Sequence, residues 1–235
     1  MTYQLGNAID KFLIEEENAK RAERAKNAEE NPKPPSFYPS SIGFCSRRIA
    51  MQMLGYERPD MDPRILRIMD NGTYTHHRYE DLFDKMGIQV EREVVLKDEE
   101  LRISGRTDSH IRFKDENGNE VDALVELKSA KDSQFNRMKK EGEPRADHYD
   151  QLQLYMHLTG IHKGVIFVEN KDTQDTLEFW VDYDEERANQ LIEKIRMINA
   201  CVDMEILPEK EFEITSFECR FCDFRYLCWE EEIEE

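Results

Sequence analysis

Two acids and a lysine stand where metal-assisted chemistry could be done. Residues 121–131 read VDALVELKSAK. The stretch is mostly apolar and reads as a buried strand, yet it carries Glu126 and Lys128. Buried charges of that kind are paired or bound to something. Side chains two apart on a strand share a face, so the two act together. Upstream, Gly105-Arg106-Thr107-Asp108 falls in the preceding strand pattern, and Asn117-Gly118 between them is a hairpin signal. Pairing through that turn lets Asp108 and Glu126 converge on one cation. Two carboxylates plus waters suit Mg²⁺ or Mn²⁺. Such an ion polarises a phosphodiester and acidifies a water. Lys128 can position or help deprotonate that water and offset charge growing on phosphate. The plain alternative is a structural ion pair between Asp108 and Lys128. Glu169-Asn170-Lys171 repeats the Glu-x-Lys spacing at another strand end, so it is the Asp108 context that selects Glu126.

Other polar residues are candidates around this pair. His76 and His77 are adjacent, so on a helix they face different directions and one at most reaches the site. Glu80, four beyond His76, could orient it. Gln151 and Tyr155 are also four apart and could face the cleft; the alternative is an exposed polar face. A second constellation is sulfur. Cys219-Arg-Phe-Cys222 is followed by Cys228, among Phe217, Phe221, Phe224 and Tyr226. Three cysteines in so short a span signal metal binding. The fourth ligand must be distant: Cys45 is the candidate and Cys201 the rival, although Cys201 lies near an apolar helix face where an inert thiol is common. Four thiolates suit Zn²⁺ or a [4Fe–4S] cluster. One pair, one near single and one distant single lean toward iron–sulfur. The group would staple the two ends of the domain together.

The elements that must position these residues follow from periodicity. Residues 5–29 read as one helix, with Leu5, Ile9, Phe12 and Leu13 on a face, as an appendage, a partner-binding arm or a helix packed on the domain. The Pro-rich link NPKPPS ends it. Residues 40–55 form a second helical element, capped by Ser40 or Ser41 and closed by Gly55. Residues 63–87 make a long helix that Gly72 interrupts, as where another backbone comes close. Strands follow at 88–96, 101–113 and 121–130, then a basic loop or short helix at 132–144. A helix over 145–159, strands over 163–169 and 176–183, and a helix over 184–205 complete the order. This predicts an α/β fold: a mixed sheet flanked by helices. Residues 1–36 are the N-terminal helix and link, 37–229 a single domain, and 230–235 an acidic tail.

Composition narrows the class. The 235 residues are 39% hydrophobic and 36% charged, a globular but polar chain. No apolar run approaches a membrane span, and the N-terminus lacks the pattern of a signal peptide. The chain is therefore read as cytoplasmic, with reduced cysteines and no membrane partner. The net charge of −18 opposes general nucleic-acid affinity. Basic residues nevertheless cluster at Arg47/Arg48, Arg64/Arg67 and Arg137/Lys139/Lys140, so a local positive groove is possible on an acidic protein.

Taken in order, the blocks resemble a RecB-type nuclease of the PD-(D/E)XK superfamily, in its iron–sulfur branch. That branch includes CRISPR-associated adaptation nucleases and AddB-type nuclease domains. The blocks are Cys45-Ser-Arg-Arg, Gly72-Thr-Tyr-Thr-His76 with Glu80, Gly105-Arg-Thr-Asp108, Glu126-Leu-Lys128, Gln151-Leu-Gln-Leu-Tyr155, and Cys219, Cys222 and Cys228. They cover about residues 40–229. The resemblance implies a restriction-endonuclease-like core. It implies His76, Asp108, Glu126 and the Leu127 carbonyl as metal ligands, Lys128 as catalytic, and Gln151 and Tyr155 as accessory. It implies Cys45, Cys219, Cys222 and Cys228 as ligands of a [4Fe–4S] cluster, leaving Cys201 free. The expected activity is a Mg²⁺- or Mn²⁺-dependent DNA exonuclease on single-stranded or frayed ends. Rivals are a flap or branched-DNA endonuclease, a non-catalytic DNA-end-binding assembly module, and a zinc-stapled protein-interaction domain. Protein partners could dock on the N-terminal helix or the acidic surface.

Overall fold

The strand that carries Glu126 lies in the middle of the sheet. The computed structural model describes residues 4–229; the acidic tail at 230–235 lies outside them. Among the described residues there are seven strands: β1 (Gln89–Arg92), β2 (Val95–Asp98), β3 (Ile103–Arg106), β4 (Ser109–Lys114), β5 (Glu120–Ala130), β6 (Lys163–Asn170) and β7 (Thr176–Asp182). Five form one sheet in the order β1-β4-β5-β6-β7, while β2 and β3 pair by themselves. β5 is antiparallel to β4 and parallel to β6, so the sheet is mixed. The β4–β5 hairpin turns where Asn117-Gly118 was expected to turn it: Gly118 has φ +81°, and Asp115 accepts hydrogen bonds from the Asn117 and Asn119 N–H groups.

The helices are α1 (Leu5–Glu30), α2 (Ser46–Met53), α3 (Pro63–Met86), α4 (Asp132–Glu141), α5 (Ala146–Thr159), α6 (Glu185–Asp203), and the short α7 (Phe217–Arg220) and α8 (Arg225–Cys228). A parallel β5–β6 pair needs a crossover, and α4 with α5 supplies it. The two faces of β5 are separate cores. Ala123, Val125 and Leu127 pack with Tyr79 and Phe83 of α3. Leu124 and Ala130 pack with Phe135 and Met138 of α4 and Leu152 and Met156 of α5. Behind α5, Leu154 meets Ile49 of α2 and Leu191, Ile195 and Ile198 of α6. The molecule is thus α3, sheet, α4/α5, then α2/α6. No helix among the described residues is long and apolar enough to cross a membrane.

Three local expectations are corrected. The long strands at 88–96 and 101–113 each break in two, because Glu93 (φ 47°) turns the chain after β1 and Thr107-Asp108 separates β3 from β4. The second helix starts at Ser46 with Cys45 as its N-cap; Pro39–Ser41 is a separate 3₁₀ turn. Gly72 does not interrupt α3, and nothing lies within 4 Å of where its Cβ would stand. α1 buries none of its residues; it leans on α3 through Asp10–Arg67 and on the segment before α3 through Arg21, which donates to the Pro59 carbonyl.

Candidate active site

Glu126 sits at the sheet's centre, on the face that meets α5, with only 1% of its surface exposed. Lys128, on the same face, forms an ion pair with Glu126 Oε1. Glu126 Oε2 is buried and has no hydrogen-bond partner. Asp108 stands where the chain enters β4. Its Oδ2 accepts the Leu127 N–H at 2.7 Å, so the strand that carries Glu126 also fixes Asp108. Its Oδ1 lies 3.1 Å from His76 Nδ1 of α3. The expected alternative, an Asp108–Lys128 pair, is replaced by Lys128 with Glu126 and Asp108 with His76.

α5 closes the site. Gln151 and Tyr155 are not an exposed polar face; they are 7% and 3% exposed. The Gln151 side-chain NH₂ donates to Tyr155 Oη at 2.6 Å, which leaves its carbonyl oxygen facing Lys128 Nζ at 3.4 Å. The sequence-identified residues fall into two polar runs, His76–Asp108 and Glu126–Lys128–Gln151–Tyr155, joined by the bond from the Leu127 N–H to Asp108. Glu80 does not orient His76. It is buried and faces His77 Nδ1 at 3.3 Å and Arg92, because His76 Nδ1 is already taken up by Asp108. Glu169 is held on the opposite face of the sheet by Arg78 and by the Tyr79 hydroxyl, which donates to it at 2.5 Å.

The electrostatics follow from burial. Removal from water pushes the Glu126 carboxyl above the usual range, Asp108 adds to this, and Lys128 opposes it. Burial works against the charge on Lys128, but Glu126 and Asp108 outweigh it and its pKa is raised. His76 behaves alike: burial opposes its charge, while Asp108 and Glu126 hold the pKa up. Burial, with the Glu126 charge, lifts the Tyr155 phenol well above its ordinary value, so it keeps its proton. One residue was missed. His148, three before Gln151 on α5, has a buried Nδ1 with no partner, and burial together with the Lys128 charge lowers its pKa to about 4. The i, i+3 spacing to Gln151 was the signal that could have found it.

The donor set fits a hard cation. An orphaned buried carboxylate oxygen needs a partner, and Asp108 supplies a second carboxylate close by. Among the described residues no three His, Cys, Asp or Glu side chains are grouped so as to hold a metal ion by themselves. A cation here would complete its shell with the Leu127 carbonyl and water, as Mg²⁺ does when few carboxylates are offered.

The cysteines are arranged more loosely. Cys45, Cys219, Cys222 and Cys228 all line one cavity of about 990 Å³, and Cys201 is not among its lining residues. All are free and partly buried. Burial raises the Cys222 and Cys228 thiols; Arg48 and Arg47 respectively act against it. The donor type fits a thiolate-held metal group, but the four sulfurs share a cavity without closing a coordination shell.

Solved structures share this architecture. SSO0001 superposes with a TM-score of 0.56 at 17% identity, over 96% of this chain and 98% of that one. An alkaline exonuclease from Laribacter hongkongensis, LHK-Exo, gives 0.54 at 13% identity over 73% and 90%. The same exonuclease in complex with dAMP gives 0.55 at 14% identity over 73% and 90%. What is shared is the α/β fold, a mixed sheet flanked by helices. At these identities the likeness to exonucleases is distant. No protein-family profile matches the chain, and no curated protein does.

Proposed function

We propose that the chain is a divalent-metal-dependent deoxyribonuclease with a restriction-endonuclease-like core, acting as an exonuclease on single-stranded or frayed DNA ends. The observation that carries this reading is Glu126: a buried carboxylate with one oxygen unpartnered, beside Asp108 and Lys128 at the centre of the sheet. The dAMP bound to LHK-Exo, a protein of similar fold, supports a nucleotide-containing substrate.

Asp108, Glu126, the Leu127 carbonyl and His76 would hold Mg²⁺ or Mn²⁺. When bound, the ion supplies Lewis acidity toward the phosphodiester and acidifies a water beside it. The chain's own residues do the rest. Lys128, kept protonated by its two acidic neighbours, orients the water and offsets charge on the phosphate oxygens; its raised pKa makes it a cation rather than a base. Gln151 steadies the Lys128 ammonium through its carbonyl oxygen. Tyr155 accepts from the Gln151 amide and so fixes which end of that amide faces Lys128. In the same reading residues 37–229 are the catalytic domain and α1 is an appended arm that offers Leu5, Ile9 and Phe12 to a protein partner. Cys45, Cys219, Cys222 and Cys228 hold a structural [4Fe–4S] cluster that ties the two ends of that domain together.

The test is Mn²⁺-dependent digestion of end-labelled single-stranded and duplex DNA by anaerobically purified protein, with an iron assay on the same sample. Cutting that disappears with Glu126→Gln is expected. A protein that binds ends without cutting would be an assembly module instead, and a colourless zinc protein without DNA activity would refute both assignments.

A further inference from the structure

The cavity that holds the cysteines is larger than the thiols need, and its walls have a second character. The chain carries a net charge of −18. Yet six cations line this one cavity: Arg47, Arg48, Arg137, Arg145, Lys194 and Arg225. Four carboxylates, Glu141, Asp147, Asp150 and Glu218, line it with them, so with the cysteines counted as thiols its balance is +2, from 6 − 4; Arg137 pairs with Glu141, Arg145 with Asp147 and Arg48 with Asp223. Arg47 and Arg225 each keep a buried Nε with no hydrogen-bond partner. The same cavity presents aromatic rings to solvent. Phe217 and Phe221 are 72% and 68% exposed, and their centroids lie 4.8 Å apart. The Arg48 guanidinium sits 3.8 Å over the Phe44 ring. Exposed rings interleaved with cations are what an unpaired nucleic-acid strand requires: stacking for the bases, positive charge for the backbone.

The cavity also leads to the candidate active site. Arg145 and Asp147 of its wall belong to the N-terminal end of α5. One turn further along the same helix is Gln151, which touches Lys128. Asp147 is close enough to Lys128 to raise its pKa. Gly43, in the loop before Cys45, packs directly against Asp147, where any side chain would collide. Cavity wall and catalytic face are therefore two ends of one rigid element.

We infer that this cavity is a tract for the unpaired strand of a DNA substrate, with the Phe217–Phe221 pair as its base-stacking platform and Arg137 as a backbone contact. The inference rests on the nuclease reading above and adds where the strand runs.

The test uses full-length protein carrying Glu126→Gln, so that DNA is not cut, and fluorescently labelled oligothymidylates of increasing length. Affinity is expected to rise with length and then level off. Phe217→Ala should weaken the long oligonucleotide roughly tenfold, the loss of one stacked base, and leave the dinucleotide as before. Arg137→Glu should weaken it and flatten its salt dependence. Phe217→Tyr keeps the ring and should restore binding; failure to do so, with the fold intact, would overturn the stacking role. Equal binding of the long oligonucleotide by Phe217→Ala, or equally tight binding of a blunt duplex of the same length, would overturn the tract. Metal-dependent cutting by the parent protein is scored separately. If it persists while the tract variants bind normally, the tract fails and the nuclease reading stands; if it is absent, the nuclease reading itself fails.

Discussion

The two constellations of this molecule, the carboxylate site and the cysteine set, are built in opposite ways. Asp108, Glu126 and Lys128 hang on the central strands and are interlocked by the Leu127 N–H and by Gln151. Cys45 is the N-cap of α2, Cys219 and Cys228 lie in two four-residue helices, and Cys222 lies in the turn between them, where its N–H donates to the Cys219 carbonyl at 3.3 Å. A sheet interior can hold charge in place by packing, because its backbone is already fixed on both sides. Two helices of four residues each offer no such frame.

That contrast can be broken by substitution, and the largest effect is expected at the sheet. Glu126→Gln or Asp108→Ala should lower metal-dependent cleavage by about 10²–10³-fold or more. Glu126→Gln should also lower Tm, since it leaves the buried Lys128 ammonium without its ion-pair partner; retained cleavage would move the site elsewhere, to Glu169 first. At the cysteines the signature should be different. Cys222→Ser should empty the site of metal and lower Tm by roughly 6–12 °C, the shift for about 3 kcal/mol in a domain of this size. Cys201→Ser should change neither metal content nor Tm; loss of iron there would mean that the fourth ligand was wrongly chosen.

A smaller effect tests how α5 serves the site. Tyr155→Phe should cost about 1 kcal/mol of stability, one buried hydrogen bond, and should slow cleavage through a freed Gln151 amide, an effect read in kcat rather than in KM. The smallest effect is one of pH. The His148 pKa is lowered in the fold from its ordinary 6.5 to about 4, first by burial and then by Lys128. The unfolded chain therefore binds more protons in that window. The stability that neutral His148 contributes is complete above 6.5 and is lost as pH falls toward 4. His148→Gln should flatten the acid limb of Tm against pH between those values; an unchanged limb would mean that the imidazole is solvated.

Much of the site was legible because strand and helix periods decide which residues share a face. Glu126 with Lys128, and Gln151 with Tyr155, needed only periods of 2 and 3.6. Gly160, in the left-handed conformation after α5, marked the helix end that sets this register. What was not legible depended on partners distant in sequence. Glu80 goes to His77 because Asp108 takes His76, which no local pattern discloses. The burial of Gln151 and Tyr155 comes from α5 laying that face on the sheet, where Tyr155 packs with Leu124 and Ile166 and Gln151 meets Lys128. The break inside the first long strand pattern turns on a non-glycine residue at positive φ, Glu93, and the break inside the second falls at Thr107-Asp108; composition gives no warning of either. The separate β2–β3 pair follows from that: its β3 edge meets the residues before α2, where Phe37 bridges Ile103.

The hydrogen bond from the Leu127 amide to Asp108 has a use beyond architecture. A carboxylate that shares its charge with a cation accepts less strongly from an N–H. The Leu127 amide resonance should therefore move when Mg²⁺ is titrated into the protein, even with no substrate present. A single backbone probe in the middle of the sheet would then report occupancy at the carboxylates, independently of catalysis and of the cysteines.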